Sequence, residues 1–241
     1  MDIKDIDKKL ASDLDRLTFS PPVTHVYNPL LYAWDLHAAF LDTYGTSTPR
    51  EVVLLGMNPG PWGMGQTGVP FGDPTWVKDW MGLQASVNKP VTEHPKRKIL
   101  GLDSPRSEVS GSRLYGWANS RFGTAERFFD RFFLLNYCPL AFLESTGRNR
   151  TPDKLPAAEK APLFAACDAA LRAKIDILAP TYLIGVGAFA EACIRRVFGK
   201  QPEGMTIGRV LHPSPASPKA NRGWVPAAEA DLAKLGIALP E

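Results

Sequence analysis

Cysteine is scarce in this 241-residue chain: Cys138, Cys167 and Cys193 stand far apart and are odd in number. That spacing offers neither a disulfide framework nor a C-x-x-C metal or iron–sulfur site, and a cytoplasmic, reducing setting fits it. Net charge is also small. The 28 Lys plus Arg against 25 Asp plus Glu give +3, which permits a polyanionic partner without requiring one. No apolar run is long enough to cross a bilayer; the longest, around residues 179–190, is interrupted by glycine, so no membrane role is implied. Residues 1–17 carry Asp2, Asp5, Asp13 and Asp15 among their lysines and lack an apolar stretch, unlike a secretory or transit peptide.

What is present is a globular composition, 44% hydrophobic and 22% charged. Ile3, Ile6, Leu10, Leu14 and Leu17 recur at three- and four-residue steps and predict an amphipathic helix over residues 1–17, closed by Pro21-Pro22. Three apolar runs, at residues 52–55, 132–135 and 182–186, read as buried strands, with a weaker fourth at 207–211. Helical patterns cover residues 163–178 and 189–198. Alternation of strand and helix predicts a parallel sheet covered on both faces, whose ligands bind outside the carboxyl ends of its strands.

The loops after the strands are therefore the places to seek chemistry. Residues 56–72 hold six glycines and three prolines in 17 positions, a backbone of tight turns able to approach a ligand closely. A phosphate-cradling P-loop is excluded because no lysine follows this loop before Lys78, and a dinucleotide fingerprint is missing too. Asn58 lies in this loop, Asn136 opens the second, and the last begins at His212, so three polar residues follow three apolar strands. Each alone is equally a turn or strand-end residue. The insertion at residues 73–123 is basic and aromatic; its Trp76, Trp80 and Trp117 read as core, and its charges are either a solvated face or phosphate contacts.

Gly56-Met57-Asn58-Pro59-Gly60-Pro61, Gln66-Thr67-Gly68-Val69-Pro70-Phe71-Gly72, Asn136-x-Cys138-Pro139-Leu140 and His212-Pro213-Ser214-Pro215 together resemble the single-strand-selective monofunctional uracil-DNA glycosylases. Segments 93–97, 107–111 and 145–149 resemble the same family, so the likeness spans roughly residues 56–224. It implies a three-layer α/β/α sandwich with a short, mostly parallel central sheet, one such domain over residues 1–241, and no metal or organic cofactor. The implied partner is DNA, single- or double-stranded, acted on by a monomer in the nucleoid or the nucleus.

The resemblance also assigns roles. Asn58 matches the amide that positions the attacking water, and His212 the donor to O2 of the departing uracil, a hydrogen bond that a neutral imidazole can make. Phe71 matches the ring on which the extruded base stacks. Asn136 matches the amide that pairs with O4 and N3–H, a pattern that cytosine reverses. Met57 is expected to give packing and backbone contacts. Gly60 is expected to face C5 without bulk, although it serves a turn equally well. That would admit hydroxymethyluracil or a deaminated purine such as xanthine, and since one methyl is worth only about 1–3 kcal/mol, thymine's refusal falls to water structure.

Pro213, Ser214, Pro215, Ala216 and Lys219 fall in the stretch expected to fill the gap left by the extruded base, and Lys96 and Arg97 are expected at phosphates. Ala216 stands where relatives can carry arginine, which predicts weaker activity on paired DNA. The expected activity is excision of damaged bases that initiates base excision repair. The alternatives are a non-enzymatic single-stranded DNA-binding protein on the same fold and an α/β enzyme acting on free nucleosides.

Overall fold

The computed structural model describes residues 2–200 and 203–240, so Met1, Gln201, Pro202 and Glu241 lie outside it. Helix α1 (Ile3–Asp15) begins with a reciprocal capping box between Asp2 and Asp5, and buries Ile3, Ile6, Leu10 and Leu14 on one face. Strand β1 (Val23–Tyr27), helices α2 (Pro29–Tyr32) and α3 (Trp34–Tyr44) and strand β2 (Val52–Gly56) follow. The loop after β2 contains the single turn α4 (Met64–Thr67). The insertion ends in α5 (Val109–Phe122), then come α6 (Ala125–Arg131), β3 (Phe132–Asn136), β4 (Ala141–Glu144) and β5 (Asn149–Arg150). The chain closes with α7 (Ala157–Leu178), β6 (Tyr182–Val186), α8 (Ala188–Phe198), β7 (Thr206–Val210) and α9 (Pro218–Lys234).

The four expected strands form one parallel sheet in the order β3-β2-β6-β7. Every residue of β2 is buried, which explains its unbroken Val-Val-Leu-Leu run: a strand covered on both faces has no solvent side to alternate with. The pairing places Gly56 opposite Asn136, and the backbone bonds Tyr137 N–H to Gly56 and Cys138 N–H to Met57 carry it past the strand ends. The first two functional loops thus leave the sheet side by side.

A second, antiparallel sheet in the order β1-β4-β5 was not expected from the sequence. Its strands are short: β5 has two residues, β1 is half-exposed, and β4, though buried over Ala141, Phe142 and Leu143, is too brief an apolar run to stand out. The aromatics of the insertion join the core: Trp117 packs edge-on against Phe122, Phe128, Phe132 and Trp224.

Candidate active site

At the carboxyl ends of the parallel strands, the loops after β2, β3 and β7 enclose a cleft of about 410 Å³ lined by Met57, Asn58, Gly60, Phe71, Asn136 and His212. Its shape depends on how the loop at residues 56–72 is held, because so much glycine leaves the backbone without stiffness of its own. Side chains from elsewhere and from the loop itself hold it in place. Tyr32 Oη donates to Gly65, Tyr115 Oη to Pro70, and the buried Gln66 amide to both Pro61 and Lys98. Thr67 Oγ1 donates to Gly72 across the turn. His37 binds the Gly68 carbonyl through Nδ1, while its Nε2 meets the buried carboxylate of Asp7 on α1 at 3.1 Å. Asp7 also pairs with the buried ammonium of Lys174 from α7.

This grip places Phe71 in the cleft wall with φ 56°, a left-handed conformation that a phenyl-bearing residue rarely adopts. Gly111 of α5 makes room for it, since a Cβ there would collide with the Phe71 carbonyl oxygen. Gly56 does the same on the other side: a Cβ there would lie 2.7 Å from the Phe71 ring and would also strike the Asn136 amide oxygen. Phe71 and His212 stand 6.5 Å apart between ring centroids.

Asn58, Asn136 and His212 line this space, and each is oriented by one hydrogen-bond partner. Asn58 donates from Nδ2 to the Leu140 carbonyl at 3.1 Å, which leaves Oδ1 as an uncommitted acceptor. Asn136 directs Nδ2 to Met64 Sδ at 3.0 Å, a weak acceptor, so most of its pairing capacity remains. His212 Nδ1 accepts from the Ser214 backbone N–H at 3.0 Å, so in the neutral ring the proton belongs on Nε2. Burial lowers the His212 pKa below its ordinary 6.5 and favours that neutral form.

Of the remaining sequence-derived residues, Ser214 and Pro215 also line the cleft. Pro213 is buried, and its carbonyl accepts from Arg113; Ala216 and Lys219 are exposed on the rim loop, with Lys219 facing a neighbouring groove beside His212. Lys96 is exposed and outside the cleft. Arg97 is engaged as a brace, donating to Gly147 at 2.7 Å and lying over the Trp62 ring.

Sequence reasoning gave no role to Glu108, Ser110, Asn149 and Thr151, which also line the cleft. Asn149 Nδ2 donates to Pro59, tying the second sheet to the Asn58 loop. Glu108 N-caps α5, its own N–H donates to Asp73 at 2.6 Å, and its carboxyl packs onto Gly60 and Gly63. Segments 107–111 and 145–149 carried the signal as sequence likeness, but nothing in their spacing says which side chain reaches the cleft.

The profile of the Uracil DNA glycosylase superfamily matches residues 43–233. The chain is 47% identical over 230 residues to the single-strand selective monofunctional uracil-DNA glycosylase of Rattus norvegicus, covering 95% of this chain and 82% of that protein. It is 45% identical over 229 residues to the corresponding protein of Bos taurus, with 95% and 84% covered. Among solved structures, Pedobacter heparinus SMUG2 superposes with a TM-score of 0.69 over 98% of this chain and 97% of that one, at 20% identity, which bears on the fold alone. The chain therefore belongs to the uracil DNA glycosylase superfamily, within its single-strand selective monofunctional family.

Proposed function

We propose that this protein hydrolyses the N-glycosidic bond of uracil in DNA, leaving an abasic site and so initiating base excision repair. Water oxygen bonds to C1′ of the sugar as the C1′–N1 bond breaks, its electron pair leaves with the base, and the water proton ends on the released uracil. The observation that carries this reading is a pair of leftovers in one cleft: an acceptor, Asn58 Oδ1, and a donor, His212 Nε2–H, each fixed by a partner on its far side. An acceptor suits a water poised at C1′. A donor suits O2, where negative charge accumulates, and such a group is worth about 10² to 10³ in rate. Asn58 does not take a full proton, so departure of the base runs ahead of attack by water.

Phe71 stacks the extruded base, and Asn136 reads its O4 and N3–H edge. Extrusion costs a few kcal/mol and least in single strands. The exposed tip of the rim loop, Pro215 and Ala216, has little bulk to hold a duplex open, which favours single-stranded substrate. Gly60 brings no side chain of its own to the base, and we extend the range on that ground to 5-hydroxymethyluracil and to deaminated purines such as xanthine.

The test is a labelled oligonucleotide containing uracil, incubated with purified protein and then treated with alkali. Strand breakage only after alkali is expected; absence of abasic sites on both single- and double-stranded substrates, across salt concentrations, overturns the reading in favour of a DNA-binding protein. Asn58→Ala is expected to remove most turnover while DNA binding stays nearly constant. Equal loss of both would make Asn58 a structural residue.

A further inference from the structure

Asn136 touches Met64, whose chain neighbours Gly63 and Gly65 both donate to the Gly60 carbonyl, and Glu108 packs onto Gly60 in the same cleft. A pyrimidine whose O4 meets Asn136 therefore presents its next ring position, C5, to that stretch of wall. Gly60 has no side chain to meet it, but the space is occupied. A Cβ on Gly60 would lie 2.7 Å from Glu108 Cδ and closer still to Oε2, and a Cβ on Gly63 would lie 2.9 Å from Glu108 Cγ. Both glycines make room for one carboxyl, which stands where a side chain at position 60 would begin.

That carboxyl is incompletely satisfied. The backbone of Trp62 and of Ser110 lies near enough to favour its charged form, yet Oε2 is buried without any hydrogen-bond partner. No cation among the described residues pairs with it, and its charged neighbour is Asp73. Burial, and then Asp73, raise its pKa. A buried acceptor lacking a donor is a place where a ligand that brings one gains and a ligand that brings a methyl loses.

We propose that Glu108 is a specificity-determining residue that reads the substituent on C5 of the base, accepting a hydrogen bond from a donor carried there and disfavouring a bare methyl. The inference rests on the uracil-excision reading and deepens it. It gives the refusal of thymine a protein group in place of water structure alone. Uracil, with only hydrogen at C5, leaves Oε2 as it is in the free protein. A hydroxymethyl group supplies the missing donor, whereas thymine seals the oxygen behind a methyl.

The test compares Glu108→Ala and Glu108→Gln with the wild type on one single-stranded oligonucleotide carrying uracil, 5-hydroxymethyluracil, 5-formyluracil or thymine, read as single-turnover rates. For Glu108→Ala the ratio of 5-hydroxymethyluracil to uracil is expected to fall tenfold or more, and the ratio of thymine to uracil to rise. In Glu108→Gln the amide oxygen is expected to face the backbone of Trp62 and Ser110, turning the NH₂ toward Gly60. The ratio of 5-formyluracil, an acceptor, to 5-hydroxymethyluracil then rises severalfold, which a carboxyl that only braces the loop would not produce. Unchanged ratios, or a parallel loss on all four bases, overturn the proposal; if the alanine variant does not fold, the glutamine ratios decide it. Wild-type protein that removes uracil but not 5-hydroxymethyluracil refutes this inference alone, whereas failure on uracil refutes the reading beneath it.

Discussion

His212 illustrates how little of a residue's chemistry resides in its name. Its Nδ1 is occupied by the Ser214 N–H, and burial holds its pKa below the ordinary value. Protonation would place a second N–H against the Ser214 donor and disturb the loop that aims the ring. Because the folded protein binds this proton less readily than the unfolded chain, the associated stability is present above the ordinary pKa of 6.5 and is lost as pH falls through the lower folded value. The excision rate is expected to stay level from about pH 8 to 6.5 and to decline only on the acid side. A rate that climbs on acidification through pH 6 would make the imidazolium the active form. His212→Ala should lower the single-turnover rate by about 10² to 10³-fold, in keeping with loss of one donor to a developing anion.

At the scale of elements, the cleft loop relies on helices distant in sequence. Asp7 sits on α1, outside the superfamily match at residues 43–233, yet it supports His37, which holds the Gly68 carbonyl. Burial alone would raise the Asp7 pKa; Lys174 and His37 outweigh it and hold it below the ordinary carboxylate value. Asp7→Asn leaves the Lys174 ammonium buried without its counter-ion, and breaking such a pair costs about 3–5 kcal/mol. Urea denaturation is expected to show that loss; a change below about 1 kcal/mol would mean that water reaches Lys174. Gly111→Ala poses a different conflict. Alanine is favoured over glycine in a helix by about 1 kcal/mol, but here its methyl meets the Phe71 carbonyl. The variant should melt at a lower temperature than the parent, and a higher melting temperature would show that α5 can shift without cost.

For the whole molecule, a net charge of +3 leaves DNA binding to local arrangement rather than to overall attraction. Arg97 and Arg113 are both engaged in bracing loops, Arg113 through Pro213 and Asn221. Exposed Lys219, on the rim beside His212, is better placed for a phosphate. Lys219→Ala should weaken binding to any sequence alike and flatten the salt dependence by about one charge. Ala216→Arg should raise excision from duplex relative to single-stranded DNA, by giving the exposed tip a side chain long enough to occupy the vacated stack. An unchanged ratio would locate the strand preference elsewhere.

By itself the sequence determined the parallel sheet and the loops that matter, because strands buried on both faces must be continuous apolar runs and polar residues at their ends stand out. Asn58, Asn136 and His212 were legible on those terms, and family likeness supplied the roles proposed for them. The second sheet was not legible, since strands as short as β5 take their stability from partners far along the chain. Nor was Glu108: its carboxyl matters only because two glycines some fifty positions earlier leave it room, a relation between backbones that meet only in the fold. The donor and acceptor directions at His212 and Asn58 belong to the tertiary structure for the same reason. An imidazole or an amide has two usable ends, and only the neighbour that binds one of them decides which end is left for the substrate.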